Sequence, residues 1–463
     1  MHVRNSSIGL LIVAALTSVA VSGQVSNVER RVDEFIGSQM AKQKIPGVAI
    51  AVVKDGKPTI AKGYGLSNVE LNVPVKPETI FQSGSMGKQF TAAAVMLLVE
   101  DGKISLDEKI SKYLGEVPEN WRNITIRNLL SHTSGMTDYA ADFDFSRDHT
   151  EADLLKIAKE TPVAFAPGEG WEYSNLGYVT LGIIIGKVTG KFYGDFLRER
   201  IFTPAGMTSA QVISEADIVM NRSAGYRVVN GEIKNQTWVS PSMNTTADGS
   251  LYLSILDLIK WEEALSKRRL LRPASYDAIW TPAVLESGKI TSYGFGWSIK
   301  SLNGGRLIEH GGAWQGFRTV ISRYVDERLS VIVLANSSNA NPQRLAHGVA
   351  EIVNPSLRPR AVLDAGPEIS TELRELFASL LSGKADRNRF TLPVQQSLFD
   401  RKDRLLDYLE KLGPILDFYL LRLEKLGDAV AYDYEVQFGS MTITLEIVRE
   451  HDGKISRLEI HPE

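Results

Sequence analysis

The chain has 463 residues, 52 Lys+Arg against 55 Asp+Glu, 43% hydrophobic residues and no cysteine. Length allows two or three domains at roughly 150 residues each, and the apolar and charged fractions exclude disordered, collagen-like and coiled-coil chains. A net charge of −3 leaves no basic footprint for nucleic acid or an anionic membrane, and zero cysteine removes disulfides, thiolate nucleophiles, iron–sulfur clusters and thiolate zinc sites.

Met1 to Asn5 hold a single Arg4 and no acid, Ile8 to Val21 is almost wholly apolar, and Val21-Ser22-Gly23 supplies small residues before Gln24. A basic start, an apolar run of about a dozen residues and a small-residue exit predict a secretory signal peptide over residues 1–23. The run is shorter than the roughly 20 apolar residues of a spanning helix. Stable membrane insertion is therefore not expected, and export to a periplasmic or extracellular space is.

A polar helix follows from about Val28 to Gln43. Val48–Lys54 then alternates into Asp55-Gly56, and Thr59–Tyr64 continues it as strand, turn and strand. From Ile80 to about Ser275 helices dominate, among them Lys88–Glu100, apolar at helical spacing and stopped by Asp101-Gly102. Strands return at Tyr293–Ser301, Leu307–Gly311, Phe317–Tyr324 and Ser330–Ala335. This order predicts an α+β domain over 24–353. Its antiparallel sheet of five strands or more is closed by both ends of the domain, flanked by helices, with an all-helical lobe inserted.

Residues 354–369 carry three prolines and little periodicity and read as a linker. Residues 370–463 read as a small α+β accessory domain with a curved antiparallel sheet. Helices are predicted at Glu372–Leu381 and Arg401–Leu412, and a strand meander at Ile415–Leu426, Ala429–Phe438, Met441–Glu450 and Lys454–Ile460. These strands hold no cluster of catalytic residue types, which points to docking or gating.

Three strings carry chemistry. Ser85 begins the only Ser-x-x-Lys in the chain, and Lys88 opens the apolar helix, so both are expected on its first turn. Helix-start serines commonly cap and lysines commonly stay solvated. This lysine, however, precedes Gln89-Phe90-Thr91-Ala92-Ala93-Ala94, a face expected to be buried. A buried lysine is costly unless paired or neutral, and a neutral amine beside a hydroxyl makes a nucleophile. Tyr173-Ser174-Asn175, the only Tyr-x-Asn, leads from a Gly-bracketed loop into the apolar helix Leu176–Lys187; it offers a proton shuttle and an amide, or simply a cap. His310-Gly311-Gly312 ends a predicted strand, where two glycines permit close backbone approach of a ligand, or simply a bend.

Taken in order, Ser85-x-x-Lys88, Tyr173-x-Asn175 and His310-Gly311-Gly312 resemble the motifs of the penicillin-recognising serine hydrolases: class C β-lactamases, D,D-peptidases and β-lactamase-like esterases. Leu129-Leu130-Ser131-His132-Thr133-Ser134-Gly135, Tyr293-Gly294-Phe295-Gly296-Trp297 and Gly316-Phe317 fit the same family, over about residues 28 to 350. The resemblance implies Ser85 as nucleophile, Lys88 as general base or holder of the proton network, and Tyr173 as proton relay. It implies Asn175 as a substrate or lysine ligand, and the N–H groups of Ser85 and Ala313, after Gly312, as the oxyanion hole. It implies no metal and no cofactor, and the seven histidines show no H-E-x-x-H or close pair of ligand spacing.

One position departs from the family pattern. Where most members place a lysine that grips a substrate carboxylate stands His310, largely neutral near pH 7. That favours neutral esters and amides over penicillins, unless an arginine such as Arg318 restores the charge. Tyr139, Trp171 and Trp314 lie near the motifs and could line an acyl pocket or pack the core. The expected activity is hydrolysis of a small-molecule ester, amide or peptide-like substrate through acyl-Ser85. The alternatives are a β-lactamase or D-Ala-D-Ala carboxypeptidase, and a catalytically silent binding module, which would have no need to retain Ser85, Lys88 and Tyr173 together.

Overall fold

A computed structural model describes residues 27–462 apart from 141, 213–215, 359–363, 365, 396–397, 400–413 and 439–441. The expected signal peptide and the Arg401–Leu412 helix lie outside the described residues, as does Met441.

The first helix, α1, spans residues 27–43. Strands β1 (Gly47–Lys54), β2 (Lys57–Asn68) and β3 (Val73–Pro74) follow; β4 (Ser298–Leu302), β5 (Gly305–Trp314), β6 (Phe317–Tyr324) and β7 (Leu329–Ala335) come late in the chain. They form one seven-stranded sheet in the order β3-β2-β1-β7-β6-β5-β4. The α+β expectation holds, with two strands beyond the minimum of five. β1 pairs antiparallel with β7, Val48 opposite Ala335, so the two ends of the domain meet at the sheet centre.

Alternation along β1 explains how the layers stack. Val48, Ile50 and Val52 face α1 (Val32, Ile36) and helix α6 (Pro342–Val353; Leu345, Val349). Ala49, Ala51 and Val53 face the other way into the larger core. That core holds α2 (Lys88–Glu100), α4 (Asn175–Thr189) and α5 (Ile255–Ser266). The short helix α3 (Ile126–Leu130) completes the lobe on this side. Every residue of α2 from Lys88 to Leu98 is buried, as its nearly continuous apolar run requires.

The expected strand Tyr293–Ser301 begins only at Ser298. Upstream, the Gly294 N–H bonds back to Trp297 O, and Gly296 takes φ +72 where a Cβ would lie 2.8 Å from Lys88 O. Residues 293–297 are thus a turn pressed on the start of α2. β4 pairs with β5 no further than Glu309, so His310 to Trp314 of β5 have β6 on one side and, among the described residues, no strand on the other. This notch holds the site.

Beyond Asn354, helix α7 (Pro367–Leu381) starts inside the expected linker, five residues before Glu372, with Pro367 in the first turn where its missing N–H costs nothing. It packs Leu373 and Phe377 on a four-stranded sheet of β8 (Asp417–Leu426), β9 (Ala429–Gln437), β10 (Thr442–Arg449) and β11 (Ile455–Pro462), in sequence order. Lys289 of the first unit pairs with Glu450 of this one.

Candidate active site

Ser85 sits in a tight 3-10 turn, Gly84–Gly87, that feeds α2, and not in the α-helix itself. In such a turn residues three apart eclipse, and Lys88 Nζ accordingly reaches Ser85 Oγ at 3.1 Å. The turn is held by backbone contacts that only glycine allows. Gly84 has φ +54, and a Cβ on it would lie 2.5 Å from Ala313 N. A Cβ on Gly312 would lie 1.9 Å from Ser83 O, and one on Gly249 2.2 Å from Gly84 O. Thr319 Oγ1 donates to Ser83 O at 2.5 Å, and Ser83 Oγ donates to Gly249 O at 2.7 Å. Gly312 and Ala313 are thereby pressed against the nucleophile turn.

Lys88 is fully buried. Besides Ser85 it donates to Asn175 Oδ1 at 2.6 Å and to the carbonyl of Asp248 at 2.5 Å. Three acceptors match the three N–H bonds of an ammonium. Of the three, only the Ser85 hydroxyl can also donate. A neutral amine therefore fits the same frame with one bond reversed, Ser85 O–H to Nζ, the polarity of a base on a nucleophile. Asn175 opens α4 behind the N-cap Ser174, whose side chain accepts from Gly177 N–H. Its amide is oriented by Asp138: Nδ2 donates to Oδ2 at 2.6 Å and the backbone N–H to Oδ1 at 3.2 Å.

Tyr173 is half-buried, its ring centroid 4.9 Å from Lys88 Nζ; Tyr178 lies 5.4 Å away on the same cation. His132 packs against Tyr173 at 4.4 Å between centroids, and the His310 ring is 6.5 Å from Tyr173. Burial first, then the Lys88 charge, lowers His310 to about 4. The same causes push His132 well below its ordinary range. Both rings are therefore neutral near pH 7, as the departure at His310 led one to expect. The Gly311 carbonyl can only accept, so His310 Nδ1 donates to it at 2.6 Å, and Nε2 accepts from the Tyr293 hydroxyl at 2.7 Å.

Arg318 stands on β6 directly opposite Ala313 of β5. Its guanidinium donates to the carbonyls of Phe317 and Trp314, at 3.1 and 3.4 Å, beside the exposed Ala313. Trp314 Nε1 donates to Asn244 Oδ1 at 2.8 Å, and its ring meets Phe145 edge to face at 6.1 Å. Tyr139 and Phe143 extend that cluster from Asp138, so an apolar wall runs between the Asn175 and Ala313 sides of the site. Trp171 packs instead on His132 and Tyr293.

The structure thus brings Ser85, Lys88, Tyr173, Asn175, His310, Gly312 and Ala313 into one notch. Sequence reasoning did not single out Asp138, Asp248, Tyr178, Tyr293 or His132. Tyr293 and His132 stand inside quoted strings that carried no assigned role, and Asp248 contributes a backbone carbonyl that no residue type announces. Among the described residues no group of three or more His, Cys, Asp or Glu could hold a metal ion. No helix among them is long and apolar enough to cross a membrane.

Residues 32–353 match the model of the family described as Beta-lactamase. Penicillin-binding protein 4* of Bacillus subtilis (strain 168) is 32% identical over 291 residues, covering 59% of this chain and 64% of that protein. The D-aminopeptidase of Brucella ovis is 29% identical over 342 residues, 71% of this chain and 63% of its own. The chain thus spans less than two thirds of these curated relatives. The octameric penicillin-binding protein homologue from Pyrococcus abyssi superimposes with a TM-score of 0.62 at 24% identity, over 93% of this chain and 99% of that one, a likeness of fold that includes the C-terminal unit.

Proposed function

This chain belongs to the beta-lactamase family of serine hydrolases, and from that premise we propose that it cleaves a small amide, peptide or ester through a covalent acyl-Ser85 intermediate. The observation that carries this is the Lys88 Nζ–Ser85 Oγ contact of 3.1 Å inside a buried network. The Ser85 hydroxyl loses its proton to the amine of Lys88 as Oγ bonds to the substrate carbonyl carbon. The oxyanion so formed lies against the N–H groups of Ser85 and Ala313. Tyr173, over Lys88, passes the proton to the departing amine or alkoxide; a water then adds to the acyl carbon, its proton returns through the same groups, and the acid leaves.

Three observations support the substrate class. His310 is neutral and its nitrogens are committed, so this position does not supply the fixed cation that would select a carboxylate. The Tyr139–Phe145–Trp314 wall suits an apolar acyl group. The relatives include a protein named D-aminopeptidase. The apolar run Ile8–Val21 supports export, with the chemistry performed outside the cytoplasm.

Fluorophosphonate labelling tests the nucleophile: wild type should be labelled and Ser85→Ala should not. Parallel turnover of a short-chain p-nitrophenyl ester, a D-amino-acid amide and a chromogenic cephalosporin tests the class. Rapid cephalosporin turnover with neither of the others would assign a β-lactamase instead.

A further inference from the structure

His132 occupies a backbone conformation that glycine adopts more readily. It follows α3 where that helix turns off: the His132 N–H donates to Leu129 O at 3.4 Å and the Thr133 N–H to Asn128 O at 2.9 Å, the paired bonds of a left-handed helix stop. Its φ is +59, a region sparsely used by residues with a Cβ. The turn alone does not ask for a side chain, yet a ring is kept there and fully enclosed.

Both residues flanking Tyr173 donate their backbone N–H to this one residue. The Glu172 N–H donates to the His132 carbonyl at 2.9 Å, and the Ser174 N–H to His132 Nδ1 at 3.2 Å. The ring lies against Tyr173, and Tyr293 and Tyr178 back it at 4.8 and 5.0 Å. With Nδ1 accepting, the proton of the neutral ring is on Nε2, which has no hydrogen-bond partner among the described residues. The one polar service the imidazole performs is therefore the Nδ1 acceptor aimed at the Tyr173 loop.

We propose that His132 is a positioning residue for Tyr173, clamping the backbone N–H groups of the residues on either side of it and stacking on its ring so that the phenol stays over Lys88. The inference rests on the reading of Tyr173 as proton relay. His132 is enclosed and acts through Tyr173; it is not itself a catalytic residue.

Two variants separate the clamp from simple filling of space. His132→Leu fills the volume without an acceptor; His132→Asn loses the ring but keeps an acceptor near the Nδ1 position and tolerates positive φ. With a p-nitrophenyl ester, His132→Leu should lose on the order of 10² in kcat, the cost of an ångström-scale misplacement, with KM within about twofold. Ser85 should still be labelled by fluorophosphonate. His132→Asn should keep kcat within about tenfold of wild type. Equal losses in the two folded variants, or wild-type kcat in His132→Leu, would overturn the clamp. If His132→Leu does not fold, His132→Asn decides alone, and a loss of about 10² in kcat there overturns it. A wild type that is neither labelled nor active would instead remove the hydrolase reading on which the clamp rests.

Discussion

The Tyr293 hydroxyl is committed to His310 Nε2 at 2.7 Å. Tyr293 is itself buried, which raises its own ionisation well above the ordinary range, so it remains the donor. His310 is thereby a neutral acceptor of fixed tautomer in the place where a cation would meet a substrate carboxylate. His310→Lys should shift selectivity toward acids. A charge-assisted hydrogen bond is worth about 1.5–3 kcal/mol, so the ratio of kcat/KM for a carboxylate-bearing cephalosporin over a neutral ester should rise roughly tenfold or more. The ratio is the measurement, because the absolute rates of both will fall as a second amine approaches Lys88. An unchanged ratio would show that the charge at this position does not set substrate class.

Asp138 lies 37 residues before Asn175 in sequence and uses both carboxylate oxygens on it. This fixes which end of the Asn175 amide faces Lys88. Without the carboxylate, the amide can rotate and present N–H to N–H. Asp138→Ala should lower kcat/KM by roughly 10- to 100-fold, the scale of one lost hydrogen bond to a charged group. Because the effect runs through Asn175, adding Asn175→Ala should cost little more than Asn175→Ala alone. Additive losses in that double-mutant cycle would place Asp138 on a different path.

What could be read from residues alone divides along a physical line. Ser85 and Lys88 were legible because they stand only three positions apart, so one local turn sets both. β1 was legible because Val48–Lys54 alternates into the Asp55-Gly56 turn; that both of its faces are buried comes from the structure. β3 has two residues, too few for any periodicity, and its membership of the sheet comes from pairing with β2. Residues 293–297 alternate like a strand but fold as a turn, because Gly296 at positive φ packs on the Lys88 backbone, a contact between distant segments. Asp138 and His132 act by orienting Asn175 and Tyr173, and orientation is set by tertiary geometry that sequence spacing does not encode.

Gly312 tests the other half of the site, the backbone contact between β5 and the nucleophile turn. A methyl group there would stand 1.9 Å from Ser83 O, whose peptide is pinned by Thr319 and Gly249. Neither side can yield as a flexible side chain would, so the strand must move off the turn and carry Ala313 N with it. Gly312→Ala should lose at least about 10² to 10³ in kcat, the cost of one oxyanion donor. Gly37→Ala is the control: it lies exposed on α1 with nothing within 4 Å of an added Cβ. That change should leave kcat unaltered and stabilise the helix by roughly 0.5–1 kcal/mol, read as a small rise in Tm.

The buried histidines also set how the protein responds to acid. His310 titrates near 4 in the folded chain against an ordinary 6.5, and burial and Lys88 lower His132 likewise. Between those values the unfolded chain binds more protons than the folded one, so stability rises with pH across the window and is lost on acidification from about 6.5 toward 4. Each such group contributes a slope of at most about 1.4 kcal/mol per pH unit. Asp248 works in the opposite sense, because burial raises its carboxyl, so the whole-protein curve mixes the two. The comparison that isolates the imidazole is wild type against His310→Gln, whose amide oxygen can still accept from Tyr293. Denaturant unfolding at intervals from pH 7 to pH 5 should show a shallower loss of stability in the variant. Parallel curves would mean that His310 takes up its proton in the folded state over the same range as in the unfolded chain, and the fixed neutral acceptor assigned to it, with the substrate preference built on that, would have to be given up.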